Sequence, residues 1–206
     1  MRQWRYSLGI AALALFFVMF YFYINKEELW TDRTFSHLFE GNIILGFFSF
    51  FADPPTIIVI SLALLIYLWI FKKNYRGMLF VLFAVGGGSV LNQLLKTWIE
   101  RQRPELEGQL LSFSFPSGHA MAGIIYLCTV AYFLTEYMYD KKRQAIIWSA
   151  ALLLALLIGL SRVANIHHYG SDVVAGWAIG YAWFAAVMWW YEYRERQFRK
   201  RKPFST

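Results

Sequence analysis

Charged residues are scarce in this sequence. Asp, Glu, Lys and Arg make up 16% of its 206 residues, whereas soluble domains carry about 25%. Hydrophobic residues reach 58%, against about 45–50% in soluble domains. This composition excludes an ordinary soluble globular domain and indicates a membrane protein.

Cysteine occurs once, as Cys128 within an apolar run. A single cysteine excludes an intramolecular disulfide and a cysteine-based metal site. The sequence also lacks internal repeats and low-complexity linkers. We therefore expect a single membrane-embedded domain over residues 1–206, with a core at 77–191 and a basic tail at 193–206.

Long apolar segments account for the composition. Six segments approach or meet the length of about 17–25 residues that a membrane-spanning helix needs. They cover residues 7–24, 56–71, 77–95, 120–139, 145–160 and 173–191. Each is apolar around its whole circumference, as a helix in lipid must be. We predict an all-α fold, an integral membrane bundle of six transmembrane helices whose first segment is a retained span rather than a signal peptide.

Positive charge is distributed unevenly between the connections. Fourteen of the 20 Lys and Arg residues lie before the first segment, in the second and fourth connections, and in the tail. The positive-inside rule then places both termini in the cytoplasm and the odd-numbered connections outside. We expect a multi-pass protein of the cell (plasma) membrane. The net charge of +7 is concentrated beside apolar segments, which favours anionic lipid and not nucleic acid as its partner.

The first connection mixes charged residues with Trp30, Phe35, Leu38 and Phe39. This mixture predicts an interfacial amphipathic helix or, nearly as well, a solvated loop. The stretch that follows, residues 42–55, either extends the second span or lies along the interface.

Ionisable residues gather in the two other outer connections. The third connection begins with Lys96, Arg101 and Arg103, followed by Pro104, which stops a helix. These cations either snorkel to the membrane surface or bind an anion.

The same connection ends with Pro116, Ser117, Gly118 and His119, where the fourth span should begin. Ser117 can cap that helix, and Gly118 lets a ligand approach the backbone closely. A helix N-terminus with free N–H groups favours an anion, although these residues also fit an ordinary helix start.

The fifth connection contains Arg162, His167, His168 and Asp172. If the last helix begins near His168, this residue and Asp172 share one face and can form a hydrogen bond. An aspartate on Nδ1 leaves Nε2 free for chemistry, or the pair simply orders the loop. His167 is expected to be structural or to lie on the rim of a site.

A metal site is the competing interpretation of the same residues. His119, His168 and Asp172 form a possible set of two histidines and one carboxylate. The cations of these connections would converge on the same place, where they would repel a metal ion and attract a phosphate. Electrostatics therefore favours an anionic substrate.

Together these residues resemble the signature motifs of the type-2 phosphatidic acid phosphatase superfamily of membrane lipid phosphatases. The first motif, Lys-x6-Arg-Pro, corresponds to residues 96–104, and the second, Pro-Ser-Gly-His, to residues 116–119. The third, Ser-Arg-x5-His-x3-Asp, corresponds to residues 161–172. Every spacing fits, and the six-span layout extends the resemblance over most of the chain.

The resemblance implies a role for each motif residue. His168 is the expected nucleophile, Asp172 orients it, and His119 is the general acid. The residues that would hold the phosphoryl oxygens are Lys96, Arg103, Ser117, Gly118 and Arg162. A phosphohistidine intermediate, no metal and no cofactor are implied, and a bell-shaped pH–rate profile follows if His168 must be neutral and His119 protonated.

The implied substrate is a lipid phosphate at the outer membrane face, namely phosphatidylglycerophosphate, undecaprenyl diphosphate or both, and no required protein partner is identified. Two alternatives remain from the residues alone. An anion or lipid-phosphate transporter would use the same cations without cleavage, but it should show repeats in its two halves. A metal-dependent membrane enzyme would use the histidines as ligands.

Overall fold

All regular secondary structure among the described residues is helical. A computed structural model describes residues 3–25, 29–104 and 112–201, and no strand occurs among them. The helices are α1 (Gln3–Ile24), α2 (Trp30–Phe39), α3 (Ile43–Phe47), α4 (Pro54–Ile70), α5 (Tyr75–Val81), α6 (Gly87–Ile99), α7 (Gly118–Thr135), α8 (Lys141–Ala164) and α9 (Gly170–Arg201). A 3₁₀ turn, Phe48–Ala52, follows α3, and a π turn, Leu82–Gly86, joins α5 to α6.

Each of the six predicted apolar segments contains a helix, and the all-α membrane bundle is confirmed, although the helix of segment 120–139 ends at Thr135. Five helices of the described chain are long and apolar enough to cross a membrane, counting Tyr75–Ile99 as one. The remaining segment is α4, whose 17 residues lie at the lower end of the spanning range. Two prolines open α4, where their missing N–H groups cost nothing.

Helix α7 lies at the centre of the bundle. It packs along both α8 and α9, and α9 also packs along α1. Its most apolar stretch is 67% buried, a larger share than in any other candidate span of the described chain. The most buried helix therefore begins at the predicted Pro-Ser-Gly-His motif and fixes its position.

Glycines allow close contact between these helices. A side chain on Gly88 would meet Ile125 and Trp183, and one on Gly159 would overlap the indole of Trp177. A side chain on Gly176 would meet the backbone of α7. The glycines thus serve helix packing, as small residues at membrane-helix interfaces commonly do.

The first connection forms a bent pair rather than a loop. Helix α2 and the segment Ile43–Ala52 meet at 101°, and only together are they long and apolar enough for a membrane span. Large apolar side chains on this pair are exposed, among them those of Trp30, Leu38, Ile43 and Phe47. A helix is therefore present at 30–39 in place of a loop, and residues 43–52 are separate from the second span, which begins at Pro54.

Helix ends differ from the predicted ones at three places, two of them near the motifs. Helix α6 ends at Ile99, ahead of Pro104, because Glu100 adopts the left-handed conformation with φ of 54°. Helix α9 begins at Gly170, so His168 lies before the helix and not on its first turn. At its other end α9 continues to Arg201, so the described part of the predicted tail is helical, and 202–206 lie outside the described residues.

Candidate active site

The predicted site residues lie at one end of the bundle, where four helices meet. Lys96 is in the last turn of α6, and Arg162 is in the last turn of α8. Ser117 is the N-cap of α7, and Asp172 is in the first turn of α9. The backbone N–H of Ser117 donates to the carbonyl of Asp172 at 3.0 Å, which ties these two helix starts together.

A reversal of the chain brings His168 into this cluster. Ile166 has a φ of 55°, which is unusual for a β-branched residue and turns the backbone directly after α8. The N–H groups of His167 and His168 then donate to the carbonyl of Arg162, at 3.0 and 3.3 Å. His168 is thereby buried to 3% exposure although it lies in a connection.

His168 and Asp172 form the predicted pair, from neighbouring elements instead of one helix face. Nδ1 of His168 lies 3.5 Å from Oδ2 of Asp172, a long distance for a hydrogen bond. The Ser114 hydroxyl donates to the same Oδ2 and lies 3.4 Å from Nδ1. The N–H of Tyr169 also donates to Oδ2, at 2.9 Å. Asp172 is therefore fully buried but well supplied with donors.

The other imidazole nitrogen of His168 faces Arg103. The distance from its Nε2 to the nearest Arg103 nitrogen is 3.2 Å. Arg103 is held in turn by bonds to the carbonyls of Ser112 and His167, both at 2.7 Å. Since a guanidinium only donates, Nε2 is the accepting nitrogen, and its lone pair points toward the cations of the site.

Burial lowers the pKa of His168 to about 3, with the Arg103 and Lys96 charges acting in the same direction and Asp172 opposing them. The imidazole is thus neutral at physiological pH, as a nitrogen nucleophile must be. Burial also lowers the pKa of Arg103, which still remains charged at neutral pH. A neutral histidine therefore stands beside a permanent cation.

Two further cations complete this cluster. Nζ of Lys96 is buried and donates to the carbonyl of Phe113 at 2.8 Å. Arg162 lies 2.7 Å from Nδ1 of His167, so His167 orders a cation, in agreement with its predicted structural role. Burial and the Arg162 charge lower the pKa of His167, which favours its neutral, accepting form.

Two buried polar atoms in the cluster have no hydrogen-bond partner among the described residues. They are Nε of Arg162 and the hydroxyl oxygen of Ser117. Gly118 adjoins them, and a side chain there would come within 3.1 Å of Asn92 and 4.0 Å of Lys96. A buried group without a partner costs free energy unless a ligand satisfies it, and these two suit the oxygens of an anion.

His119 has a partner that the sequence analysis did not include. Its Nε2 lies 3.0 Å from Oδ1 of Asp53, which caps α4. His119 therefore contacts a different carboxylate from the one beside His168. Within the described ranges, no group of three His, Cys, Asp or Glu side chains is arranged to hold a metal ion.

Arg101 is the main residue that the sequence analysis left without a role. It donates to Oδ1 of Asp172 and to the hydroxyl of Ser171, both at 2.7 Å. It also reaches Oδ2 of Asp32, on α2, at 3.2 Å. Arg101 was visible in the first basic cluster, but nothing in the sequence links it to Asp32, 69 residues away.

Comparison with known proteins gives consistent matches. A family model described as the PAP2 superfamily matches residues 77–196. Phosphatidylglycerophosphatase B of Bacillus subtilis (strain 168) is 34% identical over 155 residues, which cover 74% of this chain and 73% of that protein. Lipid A 1-phosphatase of Rhizobium johnstonii is 32% identical over 120 residues, 52% of this chain and 45% of that protein.

A solved structure resembles the whole fold. It is the crystal structure of a transmembrane PAP2-type phosphatidylglycerolphosphate phosphatase from Bacillus subtilis, with a TM-score of 0.70 and 26% sequence identity. The superposition covers 97% of this chain and 98% of that chain. The likeness therefore includes α1 to α4, which the family model does not cover.

Proposed function

The chain belongs to the PAP2 superfamily, and on that premise we propose that it is an integral membrane phosphatase that removes phosphate from a lipid. The observation that carries this proposal is the surrounding of His168. A neutral, buried imidazole faces Arg103, and two unsatisfied buried polar atoms, Nε of Arg162 and the hydroxyl oxygen of Ser117, lie in the same cluster. This arrangement suits a phosphoryl group and a nitrogen nucleophile.

The first chemical step is an attack by His168. Its Nε2 lone pair forms a bond to phosphorus while the bond from phosphorus to the leaving oxygen breaks. Asp172, beside Nδ1, stabilises the positive charge that develops on the ring. His119 supplies a proton to the leaving oxygen, which is a lipid alkoxide or a lipid phosphate.

The cations act on the charge of the transferred group. Phosphoryl transfer needs mainly positioning and charge stabilisation, which preorganised donors provide. Lys96, Arg103 and Arg162 would bind the phosphoryl oxygens, together with the hydroxyl of Ser117 and the backbone N–H of Gly118. Arg103 is already fixed by two carbonyls, so it need not reorganise during the reaction.

Hydrolysis of the phosphohistidine completes the cycle. A water molecule attacks phosphorus, His119 takes its proton, and the bond between phosphorus and Nε2 breaks to release phosphate. Each group returns to its starting protonation state, and the cycle uses no metal and no cofactor.

The substrate is a phosphomonoester or diphosphate of a membrane lipid, with phosphatidylglycerophosphate and undecaprenyl diphosphate as the candidates. A small cavity of about 110 Å³ between α6 and α7 adjoins Gly118 and is lined chiefly by apolar side chains, so apolar surface lies beside the proposed phosphate-binding residues. No separate protein partner is needed for this chemistry.

The proposed topology follows the charge distribution. Both termini are cytoplasmic in this arrangement, and the active site faces outside at the level of the lipid headgroups. Residues 1–206 then form one domain in which 77–191 carry the catalytic motifs, and the basic region from 193 lies on the cytoplasmic side.

Phosphate release in detergent with EDTA tests the proposal. The wild type should release phosphate from at least one of the two candidate lipids, and His168→Ala should abolish release. His37→Ala is a matched control, since His37 is exposed on α2 and should tolerate the change. Loss of activity on EDTA treatment would point to a metal enzyme, and no release from either lipid would point to a transporter.

A further inference from the structure

The segment 30–53 contributes two aspartates to the surroundings of His119 and His168, one by direct contact with His119 and one through Arg101. Asp32 lies in the first turn of α2, and Asp53 follows the 3₁₀ turn. Neither residue belongs to a motif that the sequence analysis identified, and neither lies in the region that the family model matches. Both face the same end of the bundle as His119 and His168.

Asp53 acts on His119 directly. Its Oδ1 lies 3.0 Å from Nε2 of this histidine, and the imidazole is three-quarters buried while the carboxylate is 45% exposed. A carboxylate at one ring nitrogen fixes the tautomer and orientation of an imidazole and leaves the other nitrogen for proton transfer. Asp53 also provides a negative charge beside a ring that must carry a proton.

Asp32 acts on His168 indirectly, through Arg101 and Asp172. Its Oδ2 receives a bond from Arg101 at 3.2 Å, and Arg101 donates to Asp172 at 2.7 Å. Its Oδ1 receives the backbone N–H of Ser171 at 2.7 Å. Asp32 thus holds both the guanidinium that contacts Asp172 and the backbone next to Asp172.

The segment itself is anchored to the helices that carry the site. The N–H of Gly41 donates to the carbonyl of Ala164 at 2.9 Å, at the end of α8. The hydroxyl of Tyr126, on α7, donates to the carbonyl of Phe51 at 2.8 Å. These bonds fix the segment between its two aspartates, so that both carboxylates are presented by one packed unit.

We propose that segment 30–53 is a clamp that positions both histidines, with Asp53 acting on His119 and Asp32 acting on Asp172 and His168 through Arg101. This inference rests on the proposed function, because it assigns the two aspartates to a phosphoryl-transfer site. Both are positioning residues, since neither needs to touch the substrate.

The role of Asp53, the first arm of the clamp, is tested with two substrates that differ in their leaving groups. A lipid alkoxide needs a proton from His119, whereas the p-nitrophenolate of p-nitrophenyl phosphate leaves without one. Asp53→Asn should lower kcat/KM for the lipid phosphate by about 10- to 100-fold and kcat/KM for p-nitrophenyl phosphate by less than about 3-fold, because kcat/KM covers the steps up to departure of the leaving group and not the later hydrolysis in which His119 acts as base. Asp53→Glu should restore part of the lipid rate. Equal losses on both substrates, or no loss on either, would overturn this arm.

The role of Asp32, the second arm of the clamp, is tested by the energetic coupling between Asp32 and Arg101. Asp32→Asn should slow both substrates by about 10-fold, because attack by His168 on phosphorus is common to both reactions. The double variant Asp32→Asn, Arg101→Gln should be no slower than Arg101→Gln alone, because the amide oxygen of Asn can still accept the N–H of Ser171 and the substitution weakens only the contact with Arg101. Additive losses would refute the coupling and leave Asp32 a purely structural residue.

Controls separate this inference from the proposed function. Glu40→Gln alters an exposed acid of the same segment and should retain wild-type rates and the wild-type unfolding temperature. Wild type and His168→Ala are measured beside it on both substrates. An inactive wild type would overturn the proposed function and the clamp together, whereas an active wild type with unaffected aspartate variants would overturn the clamp alone.

Discussion

The crossing of α7 and α9 should control the geometry of the active site, and Gly176→Ala tests this directly. Gly176 lies four residues after Asp172 on α9, where the two helices are in contact. A methyl group at Gly176 would lie 2.7 Å from the carbonyl oxygen of Ser117, against the 3.4 Å at which ordinary contact begins. The obstacle is backbone, so no side-chain rotation can relieve the deficit of about 0.7 Å.

The helices must therefore separate, and the site must change with them. The affected carbonyl belongs to Ser117, whose own N–H is bonded to the carbonyl of Asp172. A displacement of about 1 Å at a reacting centre costs roughly 100-fold in rate. We expect Gly176→Ala to lower kcat for lipid phosphate by about 10- to 100-fold and to destabilise the fold by about 1–3 kcal/mol.

The assay is phosphate release in detergent with unfolding temperature measured on the same preparation. Gly86→Ala is the control, since a methyl group there would have no atom within 4 Å. It should leave kcat unchanged. A Gly176→Ala protein with wild-type kcat would refute the claim that this crossing sets the catalytic geometry, whatever happened to its stability.

Three further predictions concern the site itself. Arg103→Lys retains a positive charge but cannot make the fork of bonds that fixes the guanidinium, so kcat/KM should fall about 100-fold and inhibition by inorganic phosphate should weaken in parallel; unchanged inhibition would contradict a role in anion binding. Ser114→Ala removes a buried donor to Asp172, and denaturant unfolding should show a loss of about 1–3 kcal/mol; an unchanged midpoint would contradict this. Because burial lowers the pKa of His168 from 6.5 to about 3, the unfolded chain takes up a proton in this range that the native chain does not. Stability should therefore fall as pH falls from 6.5 toward 3, and less steeply in His168→Gln; identical pH profiles of the unfolding temperature would show that this histidine is not buried in its neutral form.

The sequence was sufficient to predict the membrane helices, because each of them depends only on the composition of its own segment. Apolar runs of span length identify helices in lipid because no other backbone arrangement satisfies its own hydrogen bonds there. Spacing within a motif was equally informative, since His168 and Asp172 are four residues apart and do meet in the folded chain. Apolar run length and motif spacing are both local signals. Both predictions hold although α9 begins two residues later than expected.

Contacts between distant segments were not predictable in this way. The pairing of His119 with Asp53 joins residues 66 positions apart, and neither the spacing nor the composition of the chain relates them. The turn at Ile166 was also hidden, because a β-branched residue is a poor indicator of a left-handed backbone. That turn, rather than helical periodicity, is what buries His168 and brings it to Asp172.

The two arginines of the first motif show why charge counting alone is insufficient. Arg101 and Arg103 are two residues apart and look equivalent in the sequence, yet they have opposite surroundings. Arg101 contacts two carboxylates, those of Asp32 and Asp172, so its charge is balanced within the protein. Arg103 contacts carbonyls and the neutral imidazole of His168. It forms no ion pair with a carboxylate of the described residues. A rigidly held cation with no carboxylate in direct contact among the described residues attracts an anion, whereas a cation paired with carboxylates holds its neighbours in place. Loss of Arg103 should therefore weaken phosphate binding, and loss of Arg101 should slow the attack by His168 while phosphate still binds.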